Sequence, residues 1–224
     1  MPLPRPAGAL ALLLLAACGA PGRSLRNVDL SFFDLQARLS ARGASLLGEK
    51  GGFAAAGERF GADCTGFVQA VYAAEGIPLR RLMEAAAPDE RSGVTAALRA
   101  MERYGVVFAG GGERPAPGDL VFWNDTWDRN GNGDADDPLT HVGLVEYVVD
   151  GTVVFLHRGS RDVARGVMTL DRPDARAANG LLANTPIRTR GARPRGAPAL
   201  AGELFAAFGR IDPAKLPPLR VAAR

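Results

Sequence analysis

Residues 141–157 read HVGLVEYVVDGTVVFLH, and the pairing of this stretch decides how the rest of the chain is assembled. Two runs rich in β-branched and aromatic residues meet at Asp150-Gly151, a dipeptide suited to a tight hairpin. The same stretch carries the chain's 2 histidines, His141 and His157, one on each arm. A two-residue turn at Asp150-Gly151 places His157 opposite Leu144 and sends the imidazoles to opposite faces. A three-residue turn over Val149, Asp150 and Gly151, or a bulge at Gly143, puts both on one face. Cooperation between the histidines therefore requires an irregularity, and a glycine is available for each.

Short strand-like runs continue on both sides of the hairpin, GDLVFW (118–123) and GVMTL (166–170). Further upstream the apolar period changes. Leu30, Phe33, Leu35, Leu39 and Leu46-Leu47 predict a helix over 30–47, and SGVTAALRAMERY (92–104) predicts another with Ser92 as N-cap. TGFVQAVYAAEGI (65–77) places Phe67, Val68, Val71 and Tyr72 on one stripe, with Gly76 where a helix C-terminus favours glycine. The intervening GEKGGFAAAGERF (48–60) reads as a Gly-rich loop. Helices first and strands later predict an α+β fold with an antiparallel sheet. Beyond Arg190, GARPRGAPA reads as a linker, LAGELFAAF (200–208) as a short helix, and the remainder as a Pro/Arg-rich tail. The expected organisation is thus one folded domain over 28–190, followed by a linker, short helix and tail over 191–224.

The chain opens MPLPRPAGALALLLLAACGAPG. Its apolar run, Leu10 to Ala17, is far shorter than the ~18 to 20 residues that span a bilayer, so it reads as a secretion signal. Leu15-Ala16-Ala17-Cys18-Gly19 resembles a bacterial lipobox. That resemblance implies removal of residues 1–17, lipidation of Cys18, a tether over 18–27, and an exported protein held to a membrane of the cell envelope. The alternative is an ordinary signal peptide cut elsewhere. Roughly 205 residues then remain, enough for one domain with its own core. The formal charge is +3. The basic residues are scattered arginines without interleaved aromatics, so nucleic acid is not an expected partner, and a monomer is expected.

The chain has 2 cysteines. If Cys18 carries lipid, Cys64 has no intramolecular partner, although exported proteins commonly pair or discard thiols. Cys64 sits in GADCTGF (61–67), in the first turn of a predicted helix. Unsatisfied amides and the helix dipole there are expected to lower a thiol's pKa and to receive a developing oxyanion. Three readings follow: an inert core thiol, a zinc ligand beside both histidines, or a nucleophile with a histidine base.

Asp63-Cys64-Thr65-Gly66-Phe67-Val68, Pro117-Gly118-Asp119-Leu120-Val121-Phe122, His141-Val142-Gly143-Leu144 and His157 resemble, in order, the motifs of the NlpC-type cell-wall cysteine peptidases. These belong to the papain-like superfamily that also holds the CHAP amidases. The resemblance covers residues 60–160. It implies a papain-like sheet packed against a helix whose N-terminus presents the nucleophile. It further implies Cys64 as nucleophile, His141 as general base and later acid, and His157 as the group that orients His141. Asp63 and Thr65 would bind the polar end of the substrate, a peptidoglycan stem peptide commonly cut between γ-D-glutamate and a diamino acid. No cofactor for catalysis is implied. Threonine stands where serine is commoner, no SH3-like wall-binding domain precedes the motifs, and no counterpart is assigned to the tyrosine that family members supply upstream.

Between the second motif and His141 lies DRNGNGDADDPLTH (128–141). Asp128, Asn130, Asn132, Asp134 and Asp136, with Gly133, reproduce most of an EF-hand loop: oxygens at positions 1, 3, 5 and 9, glycine at 6 and a main-chain carbonyl at 7. Position 12 is Leu139 instead of glutamate. A structural calcium ion and a plain solvated acidic loop are both compatible with this pattern.

A lipid-anchored stem-peptide hydrolase is the leading expectation. A CHAP-like amidase or an acyl transferase keeps the same three residues and changes the bond. A non-catalytic, calcium-stabilised lipoprotein that binds wall fragments is the alternative from another class.

Overall fold

The computed structural model describes residues 30–110, 112–178, 180–188 and 196–218. The signal segment, Cys18 and the tether lie outside the described residues. Among the described residues, no helix is long and apolar enough to cross a membrane.

The fold is mixed α+β, with four α-helices and a six-stranded antiparallel sheet among the described residues. Helix α1 (Leu30–Ala44) is shorter than the expected 30–47. Its last turn tightens through Leu46 N–H to the Gly43 carbonyl and Leu47 N–H to the Ala44 carbonyl, which uses up the predicted C-terminal residues. The expected loop over 48–60 contains a small hairpin, β1 (Phe53–Ala55) and β2 (Glu58–Phe60). Three-residue strands are too short to show a period, and the turn is built by Ala56 and Gly57 in the left-handed region, at φ 49° and 79°.

Helix α2 (Cys64–Ala74) begins at the cysteine. Asp63 is its N-cap, accepting from Gly66 N–H at 2.7 Å through its carboxylate. A further helix, α3 (Leu79–Ala86), was not expected from the sequence. Helix α4 (Gly93–Tyr104) follows the predicted N-cap, Ser92, whose hydroxyl accepts from Thr95 N–H at 3.3 Å.

The strands are β3 (Gly105–Phe108), β4 (Leu120–Trp123), β5 (His141–Val149), β6 (Thr152–Arg158) and β7 (Val163–Thr169), then a minor hairpin, β8 (Ala177–Ala178) with β9 (Leu181–Leu182), and finally β10 (Phe205–Ile211). The sheet order is β3-β10-β4-β5-β6-β7. Strand β10 overturns two expectations. The predicted helix over 200–208 is only a single turn, closed by Leu204 N–H to the Leu200 carbonyl, and the chain then becomes an interior strand. The domain consequently does not end at 190. Apolar residues on every position of LFAAF suit a strand covered on both faces as well as they suit a helix, and only the pairing with β3 and β4 settles it.

Arg210, on β10, locks this arrangement. Its Nε and Nη2 donate to the two carboxylate oxygens of Asp119 at 2.9 and 2.8 Å, and Asp119 also accepts from Ala116 N–H. Asp119, in the Pro-Gly-Asp turn before β4, is buried. The helices cover one face of the sheet, packing Phe67, Val71, Leu39 and Met101 onto Phe122, Leu144 and Leu156. The opposite face buries Val121, Trp123, Val145, Phe155 and Phe208 beneath Ala201 and Leu204.

Candidate active site

The hairpin at Asp150-Gly151 has a two-residue turn, with Val149 paired to Thr152 and both turn residues at positive φ. That turn alone would set His157 opposite Leu144. The register shifts by one between Val145 and Tyr147, so Leu144 pairs with Leu156 and His157 falls opposite Gly143. The bulge is therefore at Glu146, not at Gly143, and the three-residue turn is absent. Glu146 is held by its own contacts. Its carboxylate accepts from Arg165 Nε and Nη2 at 2.5 and 2.6 Å, and its carbonyl accepts from the Ser40 hydroxyl at 2.7 Å. Gly143 has a different duty. A Cβ there would lie 2.8 Å from the Leu156 carbonyl oxygen and 3.0 Å from the Trp123 ring, so the strands approach closely only without one.

The shift brings His141 and His157 to one face and one end of the sheet. His141 Nε2 and His157 Nδ1 are 2.9 Å apart, with the rings at 89°. Trp123 and Phe155 pack beside them, with ring centroids 5.7 Å from His141 and 5.5 Å from His157 respectively. Burial first, and His157 second, hold His141 well below the ordinary imidazole range. Burial lowers His157 to about 4, against an opposing pull from Asp162. Both rings are neutral at pH 7. Because Nε2 of His141 faces His157, its Nδ1 is the ring atom left to serve a thiol.

Cys64, a half-buried free cysteine, lines the same cleft of about 280 Å³ as His141 and His157. The structure reverses the expected direction of its pKa. Burial pushes the thiol above its ordinary value and the Asp63 carboxylate adds to this, while the amides of Val142 and Thr65 and the Thr65 hydroxyl pull the other way. Desolvation outweighs the helix N-terminus here. At rest the cleft is lined by an un-ionised thiol and two neutral imidazoles.

Of the residues expected to bind substrate, Asp63 lines the cleft but spends its carboxylate on the helix cap. Thr65 is not among the lining residues; it faces the start of α4, where a Cβ on Gly93 would lie 2.9 Å from its methyl group. The wall opposite comprises Thr126, Trp127 and Thr140, tied together by Thr126 N–H to the Thr140 hydroxyl at 2.8 Å and Trp127 Nε1 to the Thr140 carbonyl at 3.2 Å. Ala62, Arg158, Gly159, Ser160 and Ile187 complete the lining. Sequence reasoning missed Trp127 and Arg158. Arg158 did carry a signal, as the one formally charged residue in the strand TVVFLHR.

The acidic loop folds on itself. Asp128 accepts from Gly131 N–H and Gly133 N–H at 2.7 and 2.9 Å, and Asp136 accepts from the side-chain amides of Asn130 and Asn132. Asn130 and Asn132 also accept, from Asn132 N–H and Asp134 N–H. Asp128, Asn130, Asn132 and Asp136 are thus brought together, and Asp134 joins through its main chain. Among the described residues no group of three or more His, Cys, Asp or Glu side chains is placed to hold a metal ion. The loop's oxygen donors are hard and suit calcium, but half are amides and no position-12 carboxylate closes the shell. Buried Asp137 ties the loop to the segment after β4, accepting from Arg129 N–H at 2.8 Å and donating its own N–H to Asp125 at 2.6 Å. A scan against protein-family models finds no match to the chain, and searches among curated proteins and solved structures find none either.

Proposed function

We propose that this protein is a cysteine hydrolase of the papain-like, NlpC/CHAP type that cleaves an amide bond of peptidoglycan stem peptides. The observation that carries the reading is the His141–His157 contact at 2.9 Å in the cleft that Cys64 also lines, obtained only through the bulge at Glu146. A satisfied core thiol needs no such pair, and a zinc site has no reason to spend two imidazole nitrogens on each other.

The chemistry follows from the tautomers. His141 carries its proton on Nε2 and donates it to His157 Nδ1, which leaves His141 Nδ1 as acceptor. The Cys64 thiol gives its proton to Nδ1 as sulfur forms a bond to the substrate carbonyl carbon. The carbonyl electron pair moves to oxygen, toward the amide at the start of α2; Gly66 N–H is already taken by Asp63. The tetrahedral adduct collapses, the C–N bond breaks, and His141 returns the proton to the departing amine. Water then attacks the thioester with His141 as base, releasing the acid and restoring the thiol. His157, accepting the Nε2 proton, orients His141, while burial and His157 together keep the imidazolium short-lived, so its proton passes readily to the departing amine.

The membrane anchor at Cys18 and an exported location belong to the same proposal, as does a structural calcium ion held by Asp128, Asn130, Asn132, Asp136 and the Asp134 carbonyl. An amidase or acyl transferase would use the same three residues on a different bond. Digestion of purified muropeptides with mass analysis of the products tests the reading: new amine and carboxyl termini within the stem support it, and intact muropeptides with the wild-type protein overturn it.

A further inference from the structure

Arg158 is the basic residue lining the cleft, and the acyl-transfer chemistry leaves it unused. It closes β6 immediately after His157 and has the opposite parity, so it lies on the helix-facing side of the sheet, beyond Leu156. Its exposure is 8%, and it lines the cleft together with Cys64 and Asp63. Two carbonyls fix the guanidinium: Nη1 donates to Gly159 and Nη2 to Lys50, the latter at 2.8 Å. Those carbonyls orient the group without neutralising it. Nε is buried and has no hydrogen-bond partner. No ion pair among the described residues includes Arg158. Buried charges are ordinarily paired, and buried N–H groups ordinarily satisfied. A guanidinium held in place and left short of an anion matches a carboxylate that arrives with a ligand.

We propose that Arg158 is a specificity-determining residue that receives a free carboxylate carried by the substrate near the scissile amide. The proposal rests on the hydrolase reading above and narrows its substrate class to acidic stem peptides, as against those whose carboxylate is amidated. Asp63 and Arg158 are the two charged side chains of opposite sign lining the cleft, so they also give it a direction along which a peptide with separated charges would lie.

The test uses the full chain and two synthetic stem peptides that differ only in a carboxylate or carboxamide at the glutamyl residue. Wild type should favour the carboxylate at least tenfold in kcat/KM. Arg158→Gln should lose that preference by slowing on the acid alone, and Arg158→Lys should keep part of it. Equal kcat/KM of wild type on the two peptides would overturn the proposal, with no variant needed. A second measurement does not depend on hydrolysis: alkylation of Cys64 at pH 9 by anionic iodoacetate relative to neutral iodoacetamide. The wild-type ratio, normalised to free cysteine, should fall at least threefold in Arg158→Gln or, should that variant not fold, be matched by Arg158→Lys. If neither peptide is cut, the hydrolase reading fails and this ratio alone decides the anion site. A ratio insensitive to Arg158 overturns it.

Discussion

His141 Nε2 and His157 Nδ1 lie 2.9 Å apart because β5 carries one residue more than its partner strand between Val145 and Tyr147. The extra residue, Glu146, is pinned by Arg165 on β7 and by Ser40 on α1. A contact at the cleft is thus set by an ion pair about five residues along the strand. Side chains alternate faces along a strand, so a one-residue shift is the difference between two imidazoles in contact and two on opposite sides of the sheet.

The three cleft residues should fail as a unit. Cys64→Ala and His141→Ala are each expected to lower kcat by on the order of 10³-fold or more, and His157→Ala by roughly 10²-fold, since it acts through His141. The double variant Cys64→Ala/His141→Ala should be no slower than the slower single one. Melting temperatures should stay close to wild type. Multiplying losses in the double variant would mean that the two residues do not share a step.

Burial of neutral histidines makes stability depend on pH. His157 is neutral in the fold down to about pH 4, whereas in the unfolded chain it takes up a proton near pH ~6.5. Between those values the unfolded state binds more protons, so stability is fully present above ~6.5 and falls as pH drops toward 4. His141 shifts in the same direction and adds to the effect. Thermal melts from pH 7.5 to 4 should show this decline, and His157→Gln should flatten it. For the same reason the acid limb of kcat/KM should lie below pH 6.5; a limb at 6.5 or above would indicate an exposed histidine base.

The hairpin and its boundaries were legible because β-branched alternation and Asp150-Gly151 are local signals, and Ser92 announced the start of α4 through its own capping hydrogen bond; the same duty of Asp63 at α2 went unread. The bulge was legible only as a requirement. Its position depends on Glu146 meeting Arg165 from the next strand, which no local pattern encodes. Strand β10 escaped for a related reason. Its neighbours β3 and β4 lie about a hundred residues upstream, and a run apolar on both faces has no period to read. The thiol's pKa was misjudged because the helix N-terminus is visible in sequence whereas the desolvation that opposes it is not.

Arg210 should be among the most costly residues to lose. Removing it strands the Asp119 carboxylate, buried at 1% exposure, with Ala116 N–H as its remaining main-chain donor. Breaking one side of a buried ion pair typically destabilises by about 3–5 kcal/mol. Arg210→Ala should show a loss of that size in urea unfolding, and Asp119→Ala/Arg210→Ala should recover part of it, because the double variant buries no orphan charge. A change below ~1 kcal/mol for Arg210→Ala would mean that β10 is not locked to the Pro-Gly-Asp turn as described.

The loop over 128–136 is expected to bind calcium weakly. Asp128 and Asp136 point their carboxylates into a turn held at present by main-chain and amide N–H groups. An ion would replace the amide donors on Asp136 and add the Asp134 carbonyl as a ligand. Without a position-12 glutamate the affinity should fall near the ~10⁻⁴ to 10⁻³ M of extracellular modules. Binding to the folded state alone adds RT ln(1 + [L]/Kd), about 2.7 kcal/mol at a hundredfold excess over Kd. For a domain of this size that corresponds to a rise in Tm of roughly 5 to 10 °C. Trp127, next to Asp128 in the chain, lines the cleft and donates to the Thr140 carbonyl beside His141, so the ion should also raise activity and change tryptophan fluorescence. Chelation should reverse all three effects, and Asp128→Ala should abolish the response. A melting curve and emission spectrum that ignore both chelator and 10 mM calcium would leave the loop as a turn held by its own hydrogen bonds.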